Sequence, residues 1–220
     1  MPRREERRKV ELILKVLEKY FSKRTLKRRT PFEILIACII SQRTKEENTE
    51  VASEKLFRVA RTPEEIARLD VKKIESLIKP AGFYRQKARR IKEVSKIIAE
   101  RYGGKVPKNR NELMSLPGVG FKTSCVVLCY GHNIPTIAVD THVNRVSKRL
   151  GLVRSDAGVE EVRETLEGIF PKEKWKVVNL GCVNFGREVC KPLKPKCERC
   201  ELRSVCDFGK SQTTRNSNIV

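Results

Sequence analysis

The stretch Leu116-Pro117-Gly118-Val119-Gly120-Phe121-Lys122-Thr123 decides how this chain is read. Two glycines one residue apart allow left-handed backbone and close approach by another backbone, while Pro117 removes a donor and stiffens the entry. Upstream, Asn109-Arg110-Asn111-Glu112 has the spacing of a helix N-cap with a reciprocal glutamate, and Leu113, Met114 and Leu116 give a short apolar face. Downstream, Lys122 to Tyr130 reads as a second helix, apolar at Cys125, Val126, Val127, Leu128 and Cys129. The pattern over about 109–130 is helix, hairpin, helix. Amides at the start of the second helix lie beside Gly118 and Gly120 at a positive dipole end, which suits a phosphate oxygen. A grip of that kind carries no base-sequence information. A Gly-x-Gly pair also marks ordinary interhelical turns, so the rest of the chain must decide.

Charge decides the class of partner. The 220 residues hold 48 Lys plus Arg against 27 Asp plus Glu, a formal charge of +21, which favours a polyanion and above all nucleic acid. A heat-adapted surface explains many charges but not their excess of one sign. No apolar run approaches the roughly 20 residues needed to span a bilayer. The start Met1-Pro2-Arg3-Arg4-Glu5-Glu6-Arg7-Arg8 has no apolar stretch of signal-peptide type behind it. The expectation is an intracellular protein of the cytoplasm or nucleoid, not secreted and not membrane-bound.

Helical signals recur along the chain. Val10, Ile13, Leu14, Leu17 and Phe21 share one helical face, and Thr30-Pro31-Phe32-Glu33 and Thr62-Pro63-Glu64-Glu65 each combine a cap, an N1 proline and a capping-box glutamate. Asp70 precedes a run at Val71, Ile74, Leu77 and Ile78. Tyr84 to Tyr102 is periodic at Ala88, Ile91, Val94, Ile97 and Ile98 and stops before Gly103-Gly104. Val143 to Leu150, Val159 to Phe170 and Trp175 to Phe185 read the same way, and no convincing alternating strand run occurs. The reading is an all-α chain of about ten helices. Residues 208–220 lack periodicity and read as a flexible tail.

A second constellation lies near the C-terminus. Cys190, Cys197, Cys200 and Cys206 are separated by six, two and five residues, four thiols within seventeen positions. In an intracellular protein this density argues for a metal site over disulfides. Zinc and an iron-sulfur cluster both accept four thiolates, and spacing alone leaves the two open. Cys38, Cys125, Cys129 and Cys182 sit among apolar helical neighbours and read as buried thiols. Between the first two ligands runs Lys191-Pro192-Leu193-Lys194-Pro195-Lys196, a loop clamped at both ends that presents lysines either to phosphates or simply to water.

Leu116-Pro117-Gly118-Val119-Gly120-Phe121-Lys122-Thr123, Val139-Asp140-Thr141-His142 and the four-cysteine spacing together resemble endonuclease III of the helix-hairpin-helix DNA glycosylase superfamily, over roughly residues 5 to 207. The resemblance implies a two-domain helical protein. A six-helix barrel of residues 24–131 contains the hairpin, and residues 1–23 with 132–207 form a domain carrying a 4Fe-4S cluster on Cys190, Cys197, Cys200 and Cys206. It implies a bifunctional DNA glycosylase and AP lyase of base excision repair. The expected partner is duplex DNA containing damaged bases or abasic sites, met by a monomer.

The chemistry fits the matching residues. A damaged base must leave the stack before its glycosidic carbon can be reached, and an amine can then attack C1′ and form a Schiff base. Lys122 matches that nucleophile, and Asp140 matches the carboxylate that stabilises the cationic sugar, a role compatible with capping the helix that follows. A Schiff base permits β-elimination of the 3′ phosphate, and lysine at this position favours oxidised pyrimidines as substrates. Gln42, with Arg43 as alternative, corresponds to the residue that fills the gap left by a flipped nucleotide. Phe83 corresponds to the residue that wedges into the opposite strand, and its other reading is a core phenylalanine. Gly118, Gly120, Lys191 and Lys194 complete the expected DNA contacts. The other functional readings are a structural helix-hairpin-helix DNA-binding protein without catalysis, and a glycosylase for uracil or mismatched thymine.

Overall fold

The computed structural model describes residues 4–21 and 29–216, and all regular structure among them is helical. The chain divides into two compact units, Lys27–Ile134, and Met1–Leu26 with Pro135–Val220. The resemblance places these boundaries near 24 and 131. The first boundary falls within residues 22–28, which lie outside the described ones.

The unit Lys27–Ile134 holds α2 (Pro31–Ser41), α3 (Glu46–Val59), α4 (Pro63–Arg68), α5 (Val71–Leu77), α6 (Tyr84–Arg101), α7 (Arg110–Met114) and α8 (Phe121–Val126), with α1 reserved for the helix that precedes them in sequence. Both expected capping boxes close. Thr30 Oγ1 accepts from Glu33 N at 3.2 Å while Glu33 Oε2 accepts from Thr30 N at 2.9 Å, and Thr62 and Glu65 do the same at 3.2 and 3.1 Å. α2 is buried at Leu35, Ile36, Ile39 and Ile40, and α6 meets the same core with Ala88, Ile91, Val94 and Ile98. α6 ends where Gly103 and Gly104 take left-handed φ of 56° and 76° and Gly104 N returns to Ile98 O at 2.9 Å. α8 runs on into a π-helical turn, Val127–Gly131, in which His132 N reaches Val127 O at 3.1 Å. A Cβ at Gly131 would lie 2.9 Å from Pro31 Cα, so the end of α8 can approach the start of α2 only through glycine.

The other unit holds α1 (Arg4–Phe21), α9 (Thr141–Arg149), α10 (Val159–Ile169), α11 (Trp175–Glu188) and α12 (Asp207–Asn216). α1 buries Ile13, Val16 and Leu17 along α11. Tyr20 stands edge-on to Phe185 at 5.3 Å, Asn184 Nδ2 donates to Tyr20 O at 2.8 Å, and Lys174 pairs with Glu18 at 2.6 Å. The twelve α-helices among the described residues exceed the ten expected by α3, which starts after Lys45 without a side-chain cap, and by α12. The expected tail from 208 is instead helix as far as Asn216. Cys206 starts it, with its carbonyl accepting from Lys210 N at 3.0 Å and its sulfur from Gly209 N at 3.3 Å, and Phe208 packs 4.4 Å beneath the Arg149 guanidinium. Residues 217–220 lie outside the described ones. No described helix is long and apolar enough to cross a membrane.

The α1 to α11 contact can be tested at one atom. A Cβ at Gly181 would fall 2.7 Å from Leu17 O and 2.8 Å from Leu17 Cβ, whereas one at Gly168 in α10 meets nothing within 4 Å. Gly181→Ala is expected to cost about 2 kcal/mol by overpacking and to lower the melting temperature by roughly 4–8 °C. Gly168→Ala is expected to raise it through helix propensity. Circular dichroism melts of the two variants check this, and an unchanged melt for Gly181→Ala would contradict the packing.

Candidate active site

The hairpin is built around one left-handed residue. Gly118 has φ 74°, and a Cβ there would fall into the Arg90 side chain, whose Cζ lies 2.7 Å from that point. Gly118 O accepts from Gln42 Nε2 at 2.9 Å, and Arg90 Nη1 donates to Gln42 Oε1 at 3.2 Å. Gly120 departs from expectation. Its φ of −96° and ψ of −177° are ordinary extended backbone, so no left-handed turn requires glycine there, and a Cβ would meet nothing within 4 Å. What Gly120 provides is open ground at the start of α8, which begins without a side-chain cap. Asn109 Oδ1 caps α7 through Asn111 N at 2.8 Å and Glu112 N at 3.3 Å, without the reciprocal glutamate bond the spacing suggested.

Lys122 is exposed on the first turn of α8. The nearby Cys38, on α2, is half-buried. Burial pushes its thiol up to about 11, against the pull of the Lys122 and Arg29 charges. Sequence reasoning placed Cys38 among inert core thiols and gave no sign of its nearness to Lys122. Gln42 is half-buried and docked on the hairpin, while Arg43 is exposed with a left-handed φ of 50°. Phe83 is 62% exposed, which removes the reading as a core residue. It precedes α6 with φ 56°, and the Arg43 guanidinium lies 6.0 Å from its ring centroid.

Asp140 belongs to the other unit. It ends an extended segment, Thr136 to Val139, that is buried throughout. Glu167 Oε1 accepts from both Thr136 Oγ1 and Ile137 N at 2.8 Å, and Arg163 holds the other oxygen of Glu167 at 2.6 Å. Asn179 Nδ2 donates to Ala138 O at 2.7 Å. The segment thus reaches α9 rigidly. Asp140 caps that helix, one oxygen accepting from His142 N and Val143 N at 2.9 Å each, which leaves its second oxygen to other chemistry. Burial holds the His142 imidazole below its ordinary pKa despite the Asp140 charge. Burial, followed by that same charge, raises the Cys182 thiol. Glu167 and Asn179 were not legible as supports, because their partners are backbone atoms some 30 to 40 positions distant.

Cys190, Cys197, Cys200 and Cys206 line one cavity with Arg149, Phe185 and Phe208. Among the described residues no three His, Cys, Asp or Glu side chains converge tightly enough to hold a single metal ion. Burial raises the pKa of Cys197, Cys200 and Cys206, and the neighbouring thiols add to it, so four thiolates here need a cationic group among them. Arg149 Nη1 lies 3.5 Å from Cys190 Sγ, a donor suited to sulfurs carrying negative charge. The donor set fits a thiolate-ligated metal group. Arg149 also donates to Lys191 O at 2.7 Å and Pro192 O at 3.0 Å, and Arg145 Nε donates to Cys190 O at 3.0 Å. The loop that exposes Lys191 and Lys194 is therefore held at its backbone by these two arginines.

A helical unit with a left-handed hairpin and an exposed lysine beyond it, and a carboxylate capping a helix of the other unit, agree with a helix-hairpin-helix DNA repair enzyme. The family model of the HhH-GPD superfamily base excision DNA repair proteins matches residues 36–172. Endonuclease III of Thermotoga maritima is 49% identical over 185 residues, 84% of this chain and 86% of its own length. Endonuclease III of Bacillus subtilis is 42% identical over 182 residues, 83% of each chain. The solved structure of a trapped endonuclease III–DNA covalent intermediate, an estranged-adenine complex, superposes with a TM-score of 0.85 at 39% identity, covering 94% of this chain and 98% of that one. The chain belongs to the endonuclease III family of the HhH-GPD superfamily and is a base excision repair DNA glycosylase with AP lyase activity. That membership replaces the reading as a binding protein without catalysis.

The two roles of Asp140 separate by substitution. Asparagine keeps the capping oxygen, so Asp140→Asn is expected to melt near the wild-type temperature, whereas Asp140→Ala is expected to lose about 1 kcal/mol of stability. Chemical denaturation of both variants checks the cap independently of any activity.

Proposed function

We propose that the protein excises oxidised pyrimidines from duplex DNA and nicks the strand 3′ to the abasic site through a Schiff base on Lys122. The observation that carries this reading is the Lys122 amine, exposed on the first turn of α8 just beyond the hairpin. In this reading Nζ adds to C1′ of the extruded nucleotide as the glycosidic bond breaks and the base departs with the bonding electrons. Opening of the sugar ring gives a protonated imine. Loss of a C2′ proton expels the 3′ phosphate, and water later hydrolyses the imine to return the amine. Asp140 stabilises the cationic sugar as the base leaves and takes part in the proton transfers. Its fixed, capped geometry supports that role, since a preorganised carboxylate need not reorient during reaction.

The DNA contacts follow from exposure and charge. Gly118 and Gly120 offer backbone to a phosphate, and Lys191 and Lys194 meet phosphates from a loop whose shape is already set. Gln42 fills the gap left by the extruded nucleotide, and Phe83 wedges into the opposite strand, where an aromatic ring stacks well. Cys190, Cys197, Cys200 and Cys206 hold a 4Fe-4S cluster, which when bound supplies a rigid tie for the Lys191 to Lys196 loop.

Borohydride reduction in the presence of abasic DNA is expected to trap wild-type protein covalently. Lys122→Gln is expected to abolish trapping and nicking while duplex affinity stays within a few-fold, because one exposed cation among many is lost. Persistent trapping by that variant would falsify the assignment. Excision on a panel of duplexes with single defined lesions tests the substrate class, and stronger activity on uracil or mismatched thymine than on oxidised pyrimidines would replace it. A brown protein with iron on elemental analysis is expected; a colourless one containing zinc would overturn the cluster.

A further inference from the structure

We propose that Lys87 is a positioning residue of lesion recognition, its buried amine tying the Gln42-Arg43 turn and, through the Thr44 hydroxyl, the Gly82-Phe83 loop into one preformed two-pronged reader. The inference rests on the reading of Gln42 and Phe83 as the side chains that enter the duplex.

Lys87 is 3% exposed, on the face of α6 turned to the core. Its Nζ donates to Ile40 O at 2.6 Å, Gln42 O at 2.6 Å and Thr44 Oγ1 at 2.7 Å. An ammonium has three N–H groups, and here three oxygens take them. None of these oxygens belongs to a carboxylate. Burial and the neighbouring Arg90 bring the amine down to about 8, so the charge is held at a cost that a nonpolar side chain would avoid. What the amine satisfies are carbonyls at the C-terminal end of α2 that have no intrahelical donor, at the point where the chain turns towards α3.

The Thr44 hydroxyl extends the tie to a second loop. It accepts from Lys87 and, at 3.1 Å, from Gly82 N, while donating to Gln42 O at 3.3 Å, which uses its whole hydrogen-bonding capacity. The loops touch closely enough that a Cβ at Gly82 would lie 3.1 Å from Arg43 O. A second observation points the same way. Arg43 and Phe83 are two of the four described non-glycine residues with positive φ, and they stand in these two adjoining loops. Left-handed backbone at such residues persists where the surroundings over-determine it, and it gathers at functional clamps. Lys87 and Thr44 are the groups that fix it here. A lysine serving only to cap α2 needs neither the link to Gly82 nor the paired strain.

The test uses the full chain and two substrates. One is a duplex with an oxidised pyrimidine, in which a gap must be filled and a partner strand wedged. The other is a single-stranded oligonucleotide with a preformed abasic site, which poses neither task but needs the same Lys122 chemistry. Lys87→Met and Thr44→Val are each expected to slow single-turnover excision from the duplex by about tenfold, with borohydride trapping on the single strand within about twofold of wild type. Lys87→Met combined with Gln42→Ala is expected to be no slower than the slower single variant, the non-additivity of residues acting through one another. Equal losses on both substrates, or no loss on the duplex, overturn the proposal. Should Lys87→Met fail to fold, Thr44→Val carries the same comparison with the amine retained. Gln42→Ala separates the two readings. If it leaves duplex excision unchanged, the gap-filling role and this inference fall together. If it slows excision while Lys87→Met and Thr44→Val do not, this inference falls alone.

Discussion

The left-handed backbone at Gly118 is the constraint on which the functional face of Lys27–Ile134 depends. An L side chain disfavours φ 74° on its own account, and the space a Cβ would need is taken by Arg90. The turn also aims the Gly118 carbonyl outward, where Gln42 finds it, and Arg90 closes the triangle by holding the other end of the Gln42 amide. One backbone conformation thereby joins α6, the turn after α2 and the start of α8. Lys122 inherits its place from this arrangement, because α8 begins three residues after the glycine. The far end of the same helix is fixed by a second glycine, Gly131, pressed on Pro31.

The unit that carries Asp140 solves the same problem by a different device. No turn positions the carboxylate there. A buried extended segment delivers it, its backbone groups taken up by Glu167 and Asn179 from two different helices. Such side-chain bonds to backbone satisfy polar groups that would otherwise be stranded in an apolar core. Glu167 is in turn neutralised by Arg163, so the pin is charged but balanced. The arginines of α9 repeat the strategy at the cysteine ring, with Arg145 and Arg149 spending their donors on carbonyls of Gly186, Cys190, Lys191 and Pro192. At the cysteine ring the fixed cations organise backbone and leave Lys191 and Lys194 exposed.

What could be read from the sequence follows the range of the interactions. Capping boxes, the stop at Gly103-Gly104 and the apolar faces of α2, α6 and α11 are local, and the chain states them within a few residues. Gly118 was legible as a turn, but the sequence could not tell that Gly120, unlike Gly118, has neither a left-handed backbone nor a close neighbour. α12 was missed because it starts from Cys206 and is held by Phe208 beneath Arg149, a contact across many residues, and not by its own periodicity. Lys87 lay in plain view as one of many lysines in a basic helix. Its burial is decided by carbonyls 45 and 47 residues away, which no local pattern reports.

That blindness has a physical consequence for how this protein can work. A formal charge of +21 draws the chain to any duplex, and such attraction weakens with salt and ignores lesions. Discrimination must then come from short-range groups whose geometry is set before DNA arrives, because ordering a loop at the moment of binding consumes part of the free energy that distinguishes one base from another. Strained residues such as Arg43 and Phe83 serve this purpose only if the strain is met on folding rather than on binding, and the hydrogen bonds of Lys87 and Thr44 that brace them lie wholly within the chain. Affinity and lesion choice thus reside in different sets of cations: the exposed ones that any phosphate can meet, and the buried one that never meets DNA at all.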